Sequence, residues 1–323
     1  MTDITESAPE ISLPRAKGMF EAFVTDNKKI GHSFYKLKLT LSGEGAHAFA
    51  NCIPGQFAEL DVSEVPLPPE ENIPEDLLDV SQREVLLRRP FSFTDVTVHG
   101  DKTVVDIMYC VLGPATLRLT TLKSGDSFSI LGPLGNGFHV PEGKKYAILI
   151  AGGMGTPPLQ HLGKLLVTNH LEIEVTAFAG AKSKNDLPID GRLDEISIQL
   201  GFPIPEFARY GIESIIATDD GSLGYKGFVT DCFVEWLKEK ELPAQETIIY
   251  SCGPEKMLSR VAQIAQERNI ECQVSMERRM ACGINLCQGC AVECKVPNSN
   301  ETIYKMCCQD GPVFDGAEVI FVN

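Results

Sequence analysis

The chain has 323 residues, 43% of them apolar and 23% charged, with a formal charge of −15. That length suits two globular domains and a small appendage. The acidity excludes nucleic acid as a partner, because phosphate binding needs a basic footprint, and it opposes an anionic membrane surface. No apolar run approaches the roughly 18–20 residues that cross a bilayer. The polar segment 1–17 lacks the apolar core of a signal peptide and is expected to be a disordered tail, so a cytoplasmic protein is predicted.

From residue 18 to 142 the pattern predicts a small antiparallel β-barrel. Short β-rich runs at Phe34–Leu41, Gln56–Val62, Thr103–Val111 and Ser127–Leu131 are separated by Gly, Pro and Asp. The segment Ser63–Glu84 carries four prolines and many acids, and reads as an inserted surface loop. Residues 143–269 change rhythm. Apolar runs Tyr146–Ala151, Leu171–Phe178, Ser214–Thr218 and Thr247–Ser251 alternate with helices expected over Pro158–Thr168, Thr230–Lys240 and Glu255–Arg268. This alternation predicts a doubly wound parallel α/β sheet. Residues 270–323 form a cysteine-rich C-terminal module.

Six of the eleven cysteines fall between positions 282 and 308. Without a secretion signal, such a cluster reads as metal ligands and not as a disulfide framework. Cys282-x4-Cys287-x2-Cys290 with a distant Cys308 has the plant-type spacing that holds a [2Fe–2S] cluster. Gly283 and Gly289 would let backbone N–H groups approach the sulfides. A four-cysteine zinc site is the alternative, though zinc is usually held by two separated C-x2-C knuckles. Spacing leaves Cys294 and Cys307 in competition with Cys308 for the fourth ligand.

Three further motifs lie upstream. Gly152, Gly153, Gly155 and Thr156 sit between a strand and a helix, where glycines admit a pyrophosphate and the helix N-terminus stabilises its charge. Pro158 breaks the dinucleotide fingerprint, but Cys252-Gly253-Pro254 after a later strand supplies a second turn at the same edge of the sheet. Asp219 and Asp220 also follow a strand. They would form an Asx turn or accept bonds from a ribose, favouring NAD over NADP against the opposing hint of Lys182 and Lys184. In the barrel, Arg89-Pro90-Phe91-Ser92, Tyr109 and Thr116 supply an arginine, hydroxyls and aromatics that could hold a diphosphate and stack on a flavin. The six histidines form no ligand or triad pattern.

Together the motifs R-P-F-S, G-P-L-G-N-G-F, T-D-D-G-S, E-R-R-M-A-C-G and C-Q-D-G-P-V-F resemble the electron-transfer subunit of NAD-dependent dihydroorotate dehydrogenase, within the ferredoxin–NADP reductase superfamily. The resemblance implies FAD held by Arg89, Pro90, Phe91, Ser92, Met108, Tyr109, Cys110, Ala115 and Thr116. It implies cluster ligands Cys282, Cys287, Cys290 and Cys308, and NAD at the turns named above. It also implies a partner, an FMN-containing catalytic subunit that oxidises dihydroorotate in pyrimidine synthesis, joined as two copies of each. Cys110 and Ala115 depart from the arginine and glycine usual in the family. The same modules occur in electron-transfer subunits of sulfhydrogenases and ferredoxin–NADP transhydrogenases. A non-enzymatic metal-binding or redox-sensing protein is the expectation of another class.

Overall fold

A computed structural model describes residues 17–189 and 203–321; nearly all of the segment 1–17 thus lies outside the described residues. Seven strands build the first sheet: β1 (Gly18–Lys29), β2 (Phe34–Ser42), β3 (Phe57–Leu60), β4 (Arg89–Ser92), β5 (Asp95–His99), β6 (Lys102–Cys110) and β7 (Ser127–Leu134). Their order is β4-β3-β7-β1-β2-β6-β5, antiparallel throughout. The sheet curls until β4 packs near β6, but no ladder joins β4 to β5, so the predicted barrel is a half-barrel closed by side chains. Alternation along β2 and β6 turns Leu37, Leu39, Leu41, Val105 and Ile107 inward. The helix Gly43–Ala50 plugs one mouth, with Phe49 edge-on to Phe20 and Phe93.

The insertion Ser63–Glu84 is more ordered than a loop. It contains two 3-10 turns and the short helix Leu78–Ser81. Ile73 and Leu77 pack on Leu117 of the helix Pro114–Leu119, and Arg118 Nη1 donates to Val65 O at 2.7 Å. The insertion is therefore a strap across that helix.

The second sheet contains β8 (Tyr146–Gly152), β9 (Glu174–Ala181), β10 (Glu213–Thr218), β11 (Tyr225–Lys226), β12 (Thr247–Cys252) and β13 (Glu271–Ser275), in the order β11-β10-β9-β8-β12-β13. These six strands are parallel. The helices Thr156–Asn169, Val229–Glu239 and Glu255–Arg268 connect them. The chain winds outward from β8 to β11 and then returns to β12 on the other side of β8. The topological switch point thus lies between β8 and β12, where ligands of such sheets bind.

The C-terminal stretch is shared between modules. Strand β13 belongs to the α/β sheet, although it falls in the stretch 270–323 read as the cysteine module. The hairpin β14 (Ala291–Lys295) and β15 (Thr302–Met306) forms a two-stranded sheet whose β14 is bridged to Val319, and β16 (Val313–Asp315) returns to pair antiparallel with β13. Asn136, after β7, ties this return in place. Its Nδ2 donates to Asp310 O (2.9 Å) and Val313 O (2.8 Å), and its Oδ1 accepts from Val313 N (2.9 Å). The motifs G-P-L-G-N-G-F and D-G-P-V-F are thus two halves of one contact. The two large modules also meet through Lys164 Nζ, which donates to Asp95, Val96 O and Thr97 Oγ1. Among the described residues, no helix is long and apolar enough to cross a membrane.

Candidate cofactor sites

The cysteine loop is folded around its own sulfurs. The N–H groups of Leu286 and Cys287 point to Cys282 Sγ, both at 3.3 Å. Asn285 N reaches Cys308 Sγ at 3.2 Å, Gly289 N reaches Cys287 Sγ at 3.4 Å, and Cys308 N reaches Cys290 Sγ at 3.4 Å. Each of the four sulfurs therefore accepts at least one backbone N–H, which is how a protein steadies negative charge on cluster sulfurs. Although burial opposes it, the N–H groups of Cys287, Ile284 and Leu286 bring the Cys282 thiol down to about 7. Left-handed backbone at Asn285 (φ 66), Gln288 (φ 55) and Gly283 (φ 65) makes this inward turning possible. Gly283 is also required sterically, since a Cβ there would stand 2.7 Å from Glu59 Oε1.

Backbone N–H groups tie the cysteines in two pairs, Cys287 N to Cys282 Sγ and Cys308 N to Cys290 Sγ. Among the described residues no three His, Cys, Asp or Glu side chains converge as the cage of a single ion. Zinc would need four thiolates around one point. A two-iron cluster takes two ligands per iron, so paired cysteines with N–H groups aimed at sulfur fit the cluster better. The competing cysteines face elsewhere. Cys307 Sγ donates to Met276 O at 3.3 Å, and burial pushes its thiol far up. Cys294 is fully buried in β14, bridged to Val319, and its thiol is likewise raised by burial.

Next to this loop lies a cavity of about 590 Å³, within the size range of cofactor pockets. Three elements wall it: Arg89 and Pro90 of β4, the turn Gly253–Pro254 after β12, and the segment Met276–Met280 that leads into the cysteine loop. Arg89 is held by its own loop, Nη1 donating to Leu87 O at 2.7 Å and Arg88 O at 3.2 Å. The rest of the expected FAD set does not line this cavity. Tyr109 is a correction: its ring is 1% exposed, stacked on Tyr35 at 5.4 Å and edge-on to Phe91, with its hydroxyl donating to Asn27 Oδ1. It belongs to the half-barrel core and is not free to stack on a flavin. Met108 is buried and Cys110 half-buried, with its thiol raised by burial. Ser92 ends β4, half-buried. Ala115 is buried, and the Thr116 hydroxyl accepts from Leu112 N and Gly113 N, so it caps its own helix.

Sequence reasoning named no role for Arg278, yet it braces this cavity. Its Nη1 and Nη2 bind Glu255 Oε2 and Oε1 at 3.0 and 3.1 Å, a bidentate pair that fixes the approach to the cysteine loop. The only signal was the E-R-R-M-A-C-G stretch itself.

A second cavity, of about 720 Å³, opens at the carboxyl ends of β8, β9 and β10. Gly152, Gly153, Asp219 and Pro254 line it, together with the unforeseen Phe228, Lys256 and Arg260. Asp219 and Asp220 separate here. Asp220 Oδ1 accepts Ser222 N at 2.9 Å in an Asx turn, whereas Asp219 faces the cavity. The two glycine turns abut: a Cβ on Gly155 would fall 1.9 Å from Cys252 O, and one on Gly152 would fall 2.7 Å from Pro254 Cδ. Thr156 is buried and closes the turn by donating to Gly153 O at 2.9 Å. Burial pushes the Cys252 thiol up to about 12, so it stays protonated at neutral pH. Gly155→Ala should lose about 3 kcal/mol of stability through overpacking against rigid backbone. Urea denaturation would read this, and an unchanged midpoint would mean that the turns do not pack so closely.

The comparisons with known proteins agree with this geometry. Residues 277–320 match the model for the iron–sulfur cluster binding domain of dihydroorotate dehydrogenase B, and residues 149–263 match the oxidoreductase NAD-binding domain. The dihydroorotate dehydrogenase B (NAD(+)) electron transfer subunit of Caldanaerobacter subterraneus subsp. tengcongensis is 33% identical over 93% of this chain and 98% of its own length. That of Bacillus velezensis is 36% identical over 92% and 96%. Among solved structures, the NADH-dependent reduced ferredoxin-NADP oxidoreductase shares the fold with a TM-score of 0.68, at 23% identity over 93% of this chain and 90% of that one. A ferredoxin NADP+ reductase from Neisseria gonorrhoeae aligns at a TM-score of 0.52, with 14% identity over 77% and 91%. With a half-barrel, an α/β sheet and a paired-cysteine loop meeting at one cavity, and identity of this level over nearly the whole length, the chain belongs to the family of dihydroorotate dehydrogenase B (NAD(+)) electron transfer subunits.

Proposed function

We propose that this chain carries electrons from a dihydroorotate-oxidising, FMN-containing catalytic subunit, through a [2Fe–2S] cluster and FAD, to NAD+. One observation carries the reading: the cavity between Arg89–Pro90 and the cysteine loop shares Pro254 with the cavity at β8–β10. A flavin in the first and a nicotinamide in the second would meet across one turn. FAD, when bound, exchanges electron pairs with a nicotinamide and single electrons with a cluster.

The residues divide the work. Cys282, Cys287, Cys290 and Cys308 would hold the cluster, and the five N–H groups aimed at their sulfurs would stabilise its negative charge. Arg89 would bind the diphosphate of FAD, with Pro90, Phe91 and Ser92 supplying the strand against which the ring lies. Backbone at Met108–Cys110 and the helix beginning Ala115–Thr116 would complete that site. Gly152, Gly153, Gly155 and Thr156 would admit the pyrophosphate of NAD, Asp219 would accept from a ribose hydroxyl, and Cys252–Pro254 would position the nicotinamide. Exposed Ile284, Leu286 and Cys287 place the cluster loop at the surface, suited to receiving electrons from a docked subunit. The assembly would hold two copies of each subunit and work in the cytoplasm.

The test is co-expression with an FMN-containing dihydroorotate dehydrogenase, followed by anaerobic purification. The expected complex shows flavin and cluster absorbance and reduces NAD+ with dihydroorotate. Co-purification with a hydrogenase or a large NADPH-dependent subunit would favour the sulfhydrogenase or transhydrogenase reading. A colourless zinc protein would sink the electron-carrier reading.

A further inference from the structure

Of the residues proposed to hold FAD, Arg89 alone carries a charge, and its Nη1 is already engaged by Leu87 O and Arg88 O. The helix Pro114–Leu119 brings even less from its side chains. Ala115 is buried, and the Thr116 hydroxyl accepts from Leu112 N and Gly113 N within its own turn. What this segment can offer a flavin is therefore main chain. Main-chain groups add affinity to the extent that they are already held in place.

A helix of six residues does not hold itself. Isolated helices shorter than about 12–15 residues are marginal in water, so packing must fix it. Two surfaces do so here. On one side Ala115 and Leu119 enter the half-barrel core. On the other, Leu117 is covered by Ile73 and Leu77 of the strap, with Leu67 and Val80 packed around them. Two strap carbonyls add hydrogen bonds: Val65 O accepts from Arg118 Nη1 (2.7 Å) and Pro66 O from Thr121 Oγ1 (3.1 Å). The strap is itself stiff and anchored. Val65 and Val85, at its two ends, are buried in the half-barrel core, and each of the four prolines between them fixes its own φ.

We propose that the strap Ser63–Glu84 is the flavin-retaining element of this chain. Through Ile73, Leu77 and the Val65 and Pro66 carbonyls it holds the helix Pro114–Leu119 in place before FAD arrives. The inference rests on the FAD reading of the half-barrel. It assigns positioning residues that touch no cofactor, and it gives the insertion a role in cofactor affinity.

The test dilutes the FAD- and cluster-loaded protein and follows release of FAD by the rise in flavin fluorescence. In Ile73→Ala/Leu77→Ala the Kd for FAD should rise at least about tenfold, the equilibrium weight of roughly one backbone residue left to be ordered on binding. Replacing residues 66–83 by a short Gly-Ser link should raise it further, while Leu77→Met keeps the contact and should keep the wild-type Kd. Leu41→Ala controls for lost stability alone. Leu41 is buried beside Thr103 at the start of β6, whereas the helix follows the other end of β6 at Cys110. That variant should lower the urea midpoint and leave the Kd for FAD in place. An unchanged Kd in Ile73→Ala/Leu77→Ala, or an equal rise in Leu41→Ala, overturns the proposal while the FAD reading stands. If the wild-type protein binds no FAD, that reading falls and this inference with it.

Discussion

Cys308→Ser is expected to remove the cluster, while Cys307→Ser, one residue away, leaves it intact. The neighbours differ because the turn after β15 sends their side chains in opposite directions. Cys308 receives Asn285 N–H at its sulfur and gives its own N–H to Cys290 Sγ, so it faces the loop that carries Cys282 and Cys287. Cys307 turns inward to donate its thiol to Met276 O. Altering groups that merely orient metal ligands costs 10–100-fold in affinity or activity. Loss of a ligand should exceed that, so dihydroorotate-dependent NAD+ reduction should fall by more than about a hundredfold in Cys308→Ser. NADH should still bleach the FAD of that variant, since the route from Pro254 to Arg89 does not pass through the cluster. Visible absorbance and the electron paramagnetic resonance signal of the reduced protein read the cluster directly. The opposite pattern, cluster loss in Cys307→Ser alone, would reassign the fourth ligand.

How far the sequence could lead depended on whether a feature was local. The helix Glu255–Arg268 has the bounds that its sequence predicts, because Pro254 starts it and Asn269 (φ 53) caps its end in the left-handed conformation. Alternation and turn residues likewise placed β2 and β6 within a residue or two. Strand β1 is not among the β-rich runs picked out above, because Thr25-Asp26-Asn27-Lys28-Lys29 is polar throughout, yet its pairing with β2 carries those residues along the sheet. The helix Gly43–Ala50 has weak intrinsic propensity and forms because Phe49 is needed in the mouth of the half-barrel. Tyr109 could have been read correctly. It shares a strand face with Val105 and Ile107, and that period of two points it into the core.

The cluster loop was legible because three ligands and their glycines lie within nine residues. The cavities were not, because their walls come from distant segments. Arg278 meets Glu255 across 23 positions, and Asn136 meets Val313 across 177. Such contacts leave only isolated polar residues in the sequence, with no periodicity to betray them. The paired glycine turns lie between these cases. Each was visible as a motif, but the clash that makes Gly155 necessary depends on Cys252 being its neighbour in space.

Glu59→Gln should stabilise the protein at pH 8.5 and do little at pH 5. Glu59 lies on β3 beneath Gly283, 0% exposed, with neither carboxylate oxygen hydrogen-bonded. Burial raises its pKa to about 7 although Arg89 and Arg88 pull it down, and the Cys282 thiol pushes the same way as burial. The ordinary value is 4.5, so between 4.5 and 7 the folded chain keeps a proton that the unfolded chain releases. The unfolded state then binds fewer protons, and stability falls as pH rises through that window. The penalty is complete above pH 7 and amounts to about 3 kcal/mol at 1.36 kcal/mol per unit. Glutamine keeps the shape without the charge, so the gain in the urea midpoint of the loaded protein should grow from pH 5 to pH 8.5. A gain independent of pH would mean that packing, and not ionisation, sets the cost of Glu59. A loss at every pH would mean that its carboxylate has a partner once the cluster and FAD are bound. The negative charge of a cluster above Gly283 would raise the pKa further, so the pH-dependent gain should extend to higher pH in the loaded protein than in the empty one.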